Sequence, residues 1–61
     1  MSFDALTNRE KEILQLLAKG FVRNEIAAKL FVSPETIKKH LQNIYKKLKV
    51  KNKIQAVNKI R

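Results

Sequence analysis

A very short connection between two helix-forming segments is the feature that most constrains the fold of this chain. Three residues separate Leu30, at the end of one segment, from Pro34, at the start of the next. Ser33 is a preferred capping residue, proline is favoured in the first helical position, and Glu35 places a negative charge near the positive end of the helix dipole. Because the turn is so short, we expect the two helices to cross at a steep angle.

The helix that begins at Pro34 carries one apolar stripe. Four apolar residues follow at steps of four, three and four, the spacing of a buried helical face, which predicts a helix over residues 34–49. Together with the preceding segment it forms a helix-turn-helix pattern over residues 23–42, in which the small Ala27 lets the second helix approach. Phe31 lies where many such motifs have glycine, so it must adopt an unusual backbone conformation or lengthen the turn. The stripe consists of Ile37, Leu41, Ile44 and Leu48.

Capping signals mark two further helices. Thr7 and Glu10 have the spacing of a capping box, in which each side chain accepts a hydrogen bond from the other residue's backbone N–H, and Gly20 supplies a stop. Asn52 and Gln55 have the same spacing near the other end of the chain. The four predicted helices of this single all-α domain, residues 1–61, span residues 8–19, 23–31, 34–49 and 52–60.

The charge of the chain is high and unevenly distributed. Fourteen Lys and Arg residues against five Asp and Glu residues give a net charge of +9. The residues up to Glu35 sum to zero, so all nine excess positive charges lie in the last 26 residues, which contain no acid. Such asymmetry favours a polyanionic partner, either nucleic acid or an anionic membrane surface. A solvated basic face that binds nothing specific is the alternative.

Several classes of function have no support in the sequence. The chain has no cysteine and one histidine, His40, so we expect no metal site and interpret His40 as a structural residue bonded to backbone or phosphate. No nucleotide-binding loop or catalytic constellation is present, so we expect neither an enzyme nor a cofactor. No apolar run approaches the ~18 residues of a membrane span, and no signal-peptide pattern opens the chain, which favours an intracellular protein.

The side of the third helix opposite the apolar stripe is entirely polar. It carries side chains used to read base edges, since lysine donates to guanine, glutamine and asparagine pair with adenine, and glutamate accepts from cytosine. The first turns of a recognition helix normally carry the base contacts. We therefore interpret this face as a DNA-reading surface, with an ordinary solvated helix face as the alternative. Its residues are Glu35, Lys38, Lys39, Gln42, Asn43 and Lys46.

Three segments of the chain carry a resemblance to a known family. They read "LTNREKEIL", "NEIAAKLFVSPETIKKHLQNIYKKL" and "VKNKIQA", and they cover nearly all of residues 6–60. The chain resembles the LuxR-type, or GerE-like, DNA-binding domain at the C-terminus of NarL/FixJ-type response regulators. The resemblance implies a bacterial two-component transcription regulator that works in the cytoplasm at the nucleoid, binds double-stranded DNA and has no membrane partner. RNA polymerase is a further implied partner.

The resemblance also implies which residues contact DNA. In the family the third helix enters the major groove, its first turns contact bases, and flanking positions contact or approach the backbone. The implied base contacts are Lys38, Lys39, Gln42 and Glu35. The implied backbone contacts are Ser33, Thr36, His40 and, at the start of the second helix, Arg23 and Asn24. From their charge and position, Lys46 and Lys47 are expected mainly to hold phosphate.

Some residues depart from the usual pattern of the family. Val22 stands where a capping serine or threonine is common, so the second helix lacks half of a capping box and we expect a weaker start there. Lys49 replaces a frequent glycine. Lys53 replaces a frequent arginine, and we expect its ammonium to reach the carboxylate of Glu10 or Glu12, without the two parallel hydrogen bonds that an arginine would make.

The fourth helix commonly forms the dimer interface in this family. Here Ala56, Val57 and Ile60 face the core at helical spacing, whereas Ile54 points away from them. We expect a weak homodimer through this outer strip, promoted by DNA, because the same patch can serve both subunits of a two-fold dimer. A lone exposed isoleucine is the alternative, since such residues are common. The expected interface residues are Ile54, Val57, Asn58 and Arg61.

Two functions of other classes remain as alternatives. The chain can be a protein-interaction adaptor for an acidic partner, or a non-specific basic module that binds an anionic membrane surface. A membrane-bound basic helix needs an exposed bulky apolar face, whereas the apolar faces here are needed for the core. A steep salt dependence on DNA, with a preference for some sequences, distinguishes DNA reading from both.

Overall fold

The computed structural model describes residues 5–60, which contain four α-helices. The all-α, four-helix prediction is confirmed, and each predicted helix end lies within one residue of the observed end. The predicted ranges are longer only where they include a capping residue, such as Lys19 after the first helix or Asn52 before the fourth. The helices are α1, Asn8–Ala18; α2, Arg23–Leu30; α3, Pro34–Leu48; and α4, Lys53–Lys59.

The first and third helices begin with the predicted caps. At the start of α1, the Thr7 hydroxyl accepts the Glu10 N–H at 3.1 Å, and the Glu10 carboxylate accepts the Thr7 N–H at 2.9 Å. At the start of α3, the Ser33 hydroxyl accepts the Thr36 N–H at 3.2 Å, and Pro34 takes the first helical position. Both arrangements bond backbone groups that have no partner inside the helix.

The cap of α4 differs from the predicted capping box in one half. The Asn52 side chain accepts the Gln55 N–H at 2.9 Å, as predicted. The Gln55 side chain, however, accepts the N–H of Lys51 at 2.8 Å and not that of Asn52. The predicted hydrogen bond from the Asn52 N–H to the Gln55 side chain is therefore wrong. The glutamine instead reaches one residue farther back, to the turn before the helix.

The second helix has an incomplete cap at its start and a left-handed residue at its end. The Glu25 carboxylate accepts the Val22 N–H at 2.9 Å, and valine has no side-chain acceptor to return the bond. Phe31 ends the helix with φ 58° and ψ 42°. The turn therefore keeps its short length because Phe31 adopts the unusual backbone conformation. Lys49 ends α3 in the same left-handed region, with φ 58°.

The core lies between all four helices, and α3 packs against each of the other three. The predicted α3 stripe is confirmed, because all four of its residues are buried. Ala56 of α4 is fully buried, and Val57 and Ile60 are half-buried against the core, as expected from their spacing. Burial of one face of α3 leaves its opposite face at the surface. The largest fully buried side chains are Ile13, Leu14, Ile26, Ile37 and Ile44.

Candidate nucleic-acid interface

The outward face of α3 brings the four expected base-contacting residues together. The side chains of Glu35, Lys38, Lys39 and Gln42 are all exposed and line one shallow hollow on the surface. They occupy the first half of a helix whose opposite face is anchored in the core. The arrangement therefore presents three cationic or amide side chains and one carboxylate within the first turns, where hydrogen-bond donors and an acceptor can reach the same groove.

The start of α3 keeps a hydroxyl donor available beside this face. Ser33 and Thr36 are both exposed, and their hydroxyl oxygens lie 3.0 Å apart. One hydroxyl donates to the other in this contact, and the Ser33 oxygen also accepts the Thr36 N–H. Because a single hydrogen is used between the two hydroxyls, the second remains free to donate to an anionic oxygen.

The start of α2 lies at the surface as well. Arg23 and Asn24 are exposed and occupy its first turn, directly after Val22. Because the valine makes no side-chain cap, the first N–H groups of α2 receive no hydrogen-bond acceptor from that residue. An arginine and an amide at the positive end of a helix dipole are suited to a phosphate oxygen.

Lys46 and Lys47 have different environments although they are adjacent in sequence. Lys46 is exposed. Lys47 is half-buried, and its Nζ atom lies 2.8 Å from the Oε1 atom of Glu10, a residue that is only 3% exposed. The structure thus gives the Lys47 ammonium an intramolecular partner on α1. The phosphate contact expected of this lysine stays a prediction.

The carboxylate of Glu10 is held in its charged form by these neighbours. Burial by itself raises the pKa of Glu10, because it disfavours the charge. Hydrogen bonds from the Lys47 ammonium and the Thr7 N–H, together with the positive charge of Lys47, outweigh that effect and hold the pKa below its ordinary value of 4.5. The buried charge therefore depends on its lysine partner.

The expected ion pair between Lys53 and Glu10 or Glu12 is wrong. Within residues 5–60 the Glu10 carboxylate pairs with Lys47, and the Glu12 carboxylate pairs with Arg9 at 3.3 Å. Neither carboxylate pairs with Lys53, which is exposed at the start of α4. The Glu10 position is filled from α3 because the C-terminal half of that helix packs against α1, a contact that links residues 37 positions apart.

The remaining ring side chains of α3 lie beside the core. His40 and Tyr45 are both half-buried. Burial raises the pKa of the Tyr45 hydroxyl. In the part of the chain that the structure describes, no three His, Cys, Asp or Glu side chains lie close enough together to hold a metal ion.

The outer strip of α4 is partly exposed. Ile54 is 70% exposed and Asn58 is also at the surface, whereas Val57 is half-buried against the core and offers only its edge. Arg61, the fourth residue expected at a dimer interface, lies outside the described residues. Phe31 is 94% exposed, a surface aromatic that the helical pattern did not predict because the residue falls in the turn.

None of the helices described is long and apolar enough to cross a membrane.

The helices place most of the positive charge on α3, α4 and their connection, since no acid follows Glu35 in the sequence. The exposed lysines therefore give this region a net positive charge that attracts polyanions.

Comparisons with known proteins agree on one family. Residues 4–60 match the family model described as bacterial regulatory proteins, luxR family. The chain is 57% identical over 53 residues to the CsgBAC operon transcriptional regulatory protein of Escherichia coli strain K12, covering 87% of this chain and 24% of that protein. It is 46% identical over 55 residues to the response regulator protein VraR of Staphylococcus aureus strain COL, covering 90% and 26%.

A third relative comes from another genus. The chain is 43% identical over 53 residues to the nitrate/nitrite response regulator protein homolog of Haemophilus influenzae, covering 87% of this chain and 26% of that protein. The chain thus spans about a quarter of the length of the curated relatives it matches.

Proposed function

Because the chain belongs to the luxR family of bacterial regulatory proteins, we propose that it reads the sequence of double-stranded DNA with α3 in the major groove. The luxR family is non-enzymatic. This chain is a DNA-binding, transcription-regulating helix-turn-helix domain of that family. The observation that carries the proposal is the exposed cluster of Glu35, Lys38, Lys39 and Gln42 on the first turns of a helix whose other face is buried.

In this proposal the exposed side chains divide into two groups. Those in the first half of α3 read base edges, because lysine and glutamine donate to purines and Glu35 accepts from cytosine. Phosphate contacts from other residues fix the position and orientation of the helix without reading sequence. The proposed base-reading residues are Glu35, Lys38, Lys39 and Gln42. The proposed phosphate-contacting residues are Arg23, Asn24, Ser33, Thr36, His40 and Lys46. Lys47, which was also expected to hold phosphate, is left out because its ammonium pairs with Glu10.

The electrostatic surface supports DNA as the partner. The exposed Lys46 lies seven residues after Lys39, two helical turns along the same side of α3. A helix that inserts its first turns into a groove brings a lysine placed farther along the same side near the bordering phosphates. An adaptor for an acidic protein would need no such alignment between the reading residues and the flanking charges.

We also propose that two copies bind adjacent half-sites. The outer strip of α4, with Ile54 at its centre and Asn58 beside it, is the proposed contact between them. Half-sites bound by two-fold dimers are about one helical turn of DNA apart. The strip is small, so the dimer is weak without DNA. RNA polymerase is a further proposed partner of the DNA-bound protein, the bacterial cytoplasm is its proposed location, and residues 1–61 act in it as one domain.

Selection of bound sites from a random duplex library tests the proposed function directly. We expect recovered duplexes to share a short motif, present twice at a spacing of about one helical turn. A single motif without a fixed repeat would contradict the paired half-sites alone. Recovery of sequences without any shared motif would contradict base reading and favour a non-specific basic module.

A further inference from the structure

Lys47 is the described lysine whose ammonium pairs with a buried carboxylate. We propose that Lys47 is a positioning residue, which neutralises Glu10 and fixes the C-terminal half of α3 to the start of α1, and that it makes no phosphate contact. The inference rests on the proposed function, because it concerns how the DNA-reading helix is held in place.

The geometry of Glu10 supports this role. One oxygen of its carboxylate accepts both the Thr7 N–H at 2.9 Å and the Lys47 ammonium at 2.8 Å. The residue is 3% exposed, so its carboxylate has little access to water while the Lys47 side chain covers it. A buried charge left without its partner is strongly unfavourable. Turning Lys47 toward a phosphate would therefore leave the buried carboxylate without its cationic partner.

The position of Lys47 on the helix points the same way. Successive residues of an α-helix are about 100° apart, so Lys46 and Lys47 face different directions. Lys46 lies four residues after Gln42 and seven after Lys39, on the outward side of the helix, and it is exposed. Lys47 is half-buried, and its ammonium meets Glu10 at the start of α1. The two neighbouring lysines thus serve two different surfaces.

This contact joins two helix ends through one side chain. Glu10 completes the cap of α1, and through Lys47 the same carboxylate attaches the last turns of α3. The first turns of α3 carry the proposed reading residues, and α2 carries proposed phosphate contacts. Loosening the attachment of α3 to α1 allows the reading face to shift relative to α2, which weakens the fit to a specific site and leaves the number of phosphate contacts unchanged.

Lys47→Met and Lys46→Met form a matched pair for the test, since they remove the same charge from adjacent residues. Affinity for a selected duplex and for a random duplex is measured between about 50 and 200 mM salt. We expect Lys46→Met to reduce the salt slope by about one unit, as for the loss of one phosphate contact. We expect Lys47→Met to keep the wild-type slope and to lower the affinity for the selected duplex by about twofold to thirtyfold, the range for residues that act through packed elements.

A second variant, Glu10→Gln, should change DNA affinity in opposite directions for the two possible roles of Lys47, positioning α3 or contacting phosphate. Glu10→Gln removes the charge that holds Lys47. If Lys47 positions α3, Glu10→Gln weakens binding to the selected duplex, and the double variant Glu10→Gln/Lys47→Met binds no worse than Lys47→Met alone. If Lys47 is instead a phosphate contact, Glu10→Gln frees its ammonium and strengthens binding to all duplexes.

A reduced slope in Lys47→Met, or stronger binding by Glu10→Gln, overturns the inference. If Lys47→Met does not fold, the salt slope is measured on the double variant Glu10→Gln/Lys47→Met, which has no unpaired buried charge. A failure of the proposed function is recognised separately, because the wild-type chain itself would then bind selected and random duplexes equally well.

Discussion

The left-handed backbone of Phe31 at the end of α2 should cost the folded protein stability. Phe31 has φ 58° and is 94% exposed, so its backbone is in a region that disfavours a Cβ atom while its ring buries almost nothing. The left-handed conformation costs about 1–2 kcal/mol for a residue with a Cβ. Glycine removes that cost but loses about 0.5–1 kcal/mol through the greater freedom of the unfolded chain. Phe31→Gly should therefore raise the free energy of unfolding by about 1 kcal/mol.

Urea unfolding followed by circular dichroism measures this change. We expect the midpoint to rise by about 0.5–1 M at an unchanged slope, and the Tm to rise by about 4–8 °C for a domain of this size. Phe31→Ala is the matched control, because it removes the ring and keeps the Cβ atom, so its stability should stay close to that of the wild type. Equal stability of the glycine and alanine variants would refute the reasoning and show that the left-handed backbone stores no strain.

Two further predictions concern the buried carboxylate and the outer strip of α4. Because the folded protein holds the pKa of Glu10 below 4.5, its contribution to stability is present above that pH and is lost as the pH falls through the lowered pKa. The Tm of the wild type should therefore drop more steeply below about pH 4.5 than that of Glu10→Gln, and parallel curves would contradict the role of this carboxylate. Ile54→Asp should leave the fold and binding to a single half-site intact and abolish cooperative binding to a paired site, measured by gel shift; surviving cooperativity would place the interface elsewhere.

Most of the fold could be predicted because its signals are local. The caps at Thr7 and Ser33 and the spacing of the α3 stripe define helix ends and a buried face within a few residues of chain. The structure places these helix ends within one residue of prediction. The half-missing cap at Val22 was also visible, since it depends on one residue type. Local hydrogen bonding and apolar spacing therefore account for the four helices.

The features that could not be predicted depend on packing between distant residues. The Glu10–Lys47 contact links α1 with the end of α3, and helical spacing within either segment does not show which lysine faces the carboxylate. Lys53 was the expected partner, because it replaces a frequent arginine of the family. At Phe31 the sequence left two alternatives, and only the backbone of the folded turn distinguishes an unusual conformation from a longer connection.

The candidate interface was predictable in part for the same reason. The exposed face of α3 follows from the buried stripe, so Lys38, Lys39 and Gln42 were expected on one side, and the structure places them there. Helical spacing placed Lys46, and not Lys47, on this face, but the environment of Lys47 could not be predicted. It depends on α1, which covers one flank of α3 and leaves the other open.

The comparison of Lys39→Ala with Lys46→Ala on selected and random duplexes tests the central claim, that α3 reads base pairs. We expect Lys39→Ala to lose roughly 1–3 kcal/mol of binding free energy on the selected duplex and to relax preference at one or two base pairs. We expect Lys46→Ala to weaken binding to both duplexes alike, with a salt slope smaller by about one unit. Equal losses by both variants on both duplexes would contradict the claim.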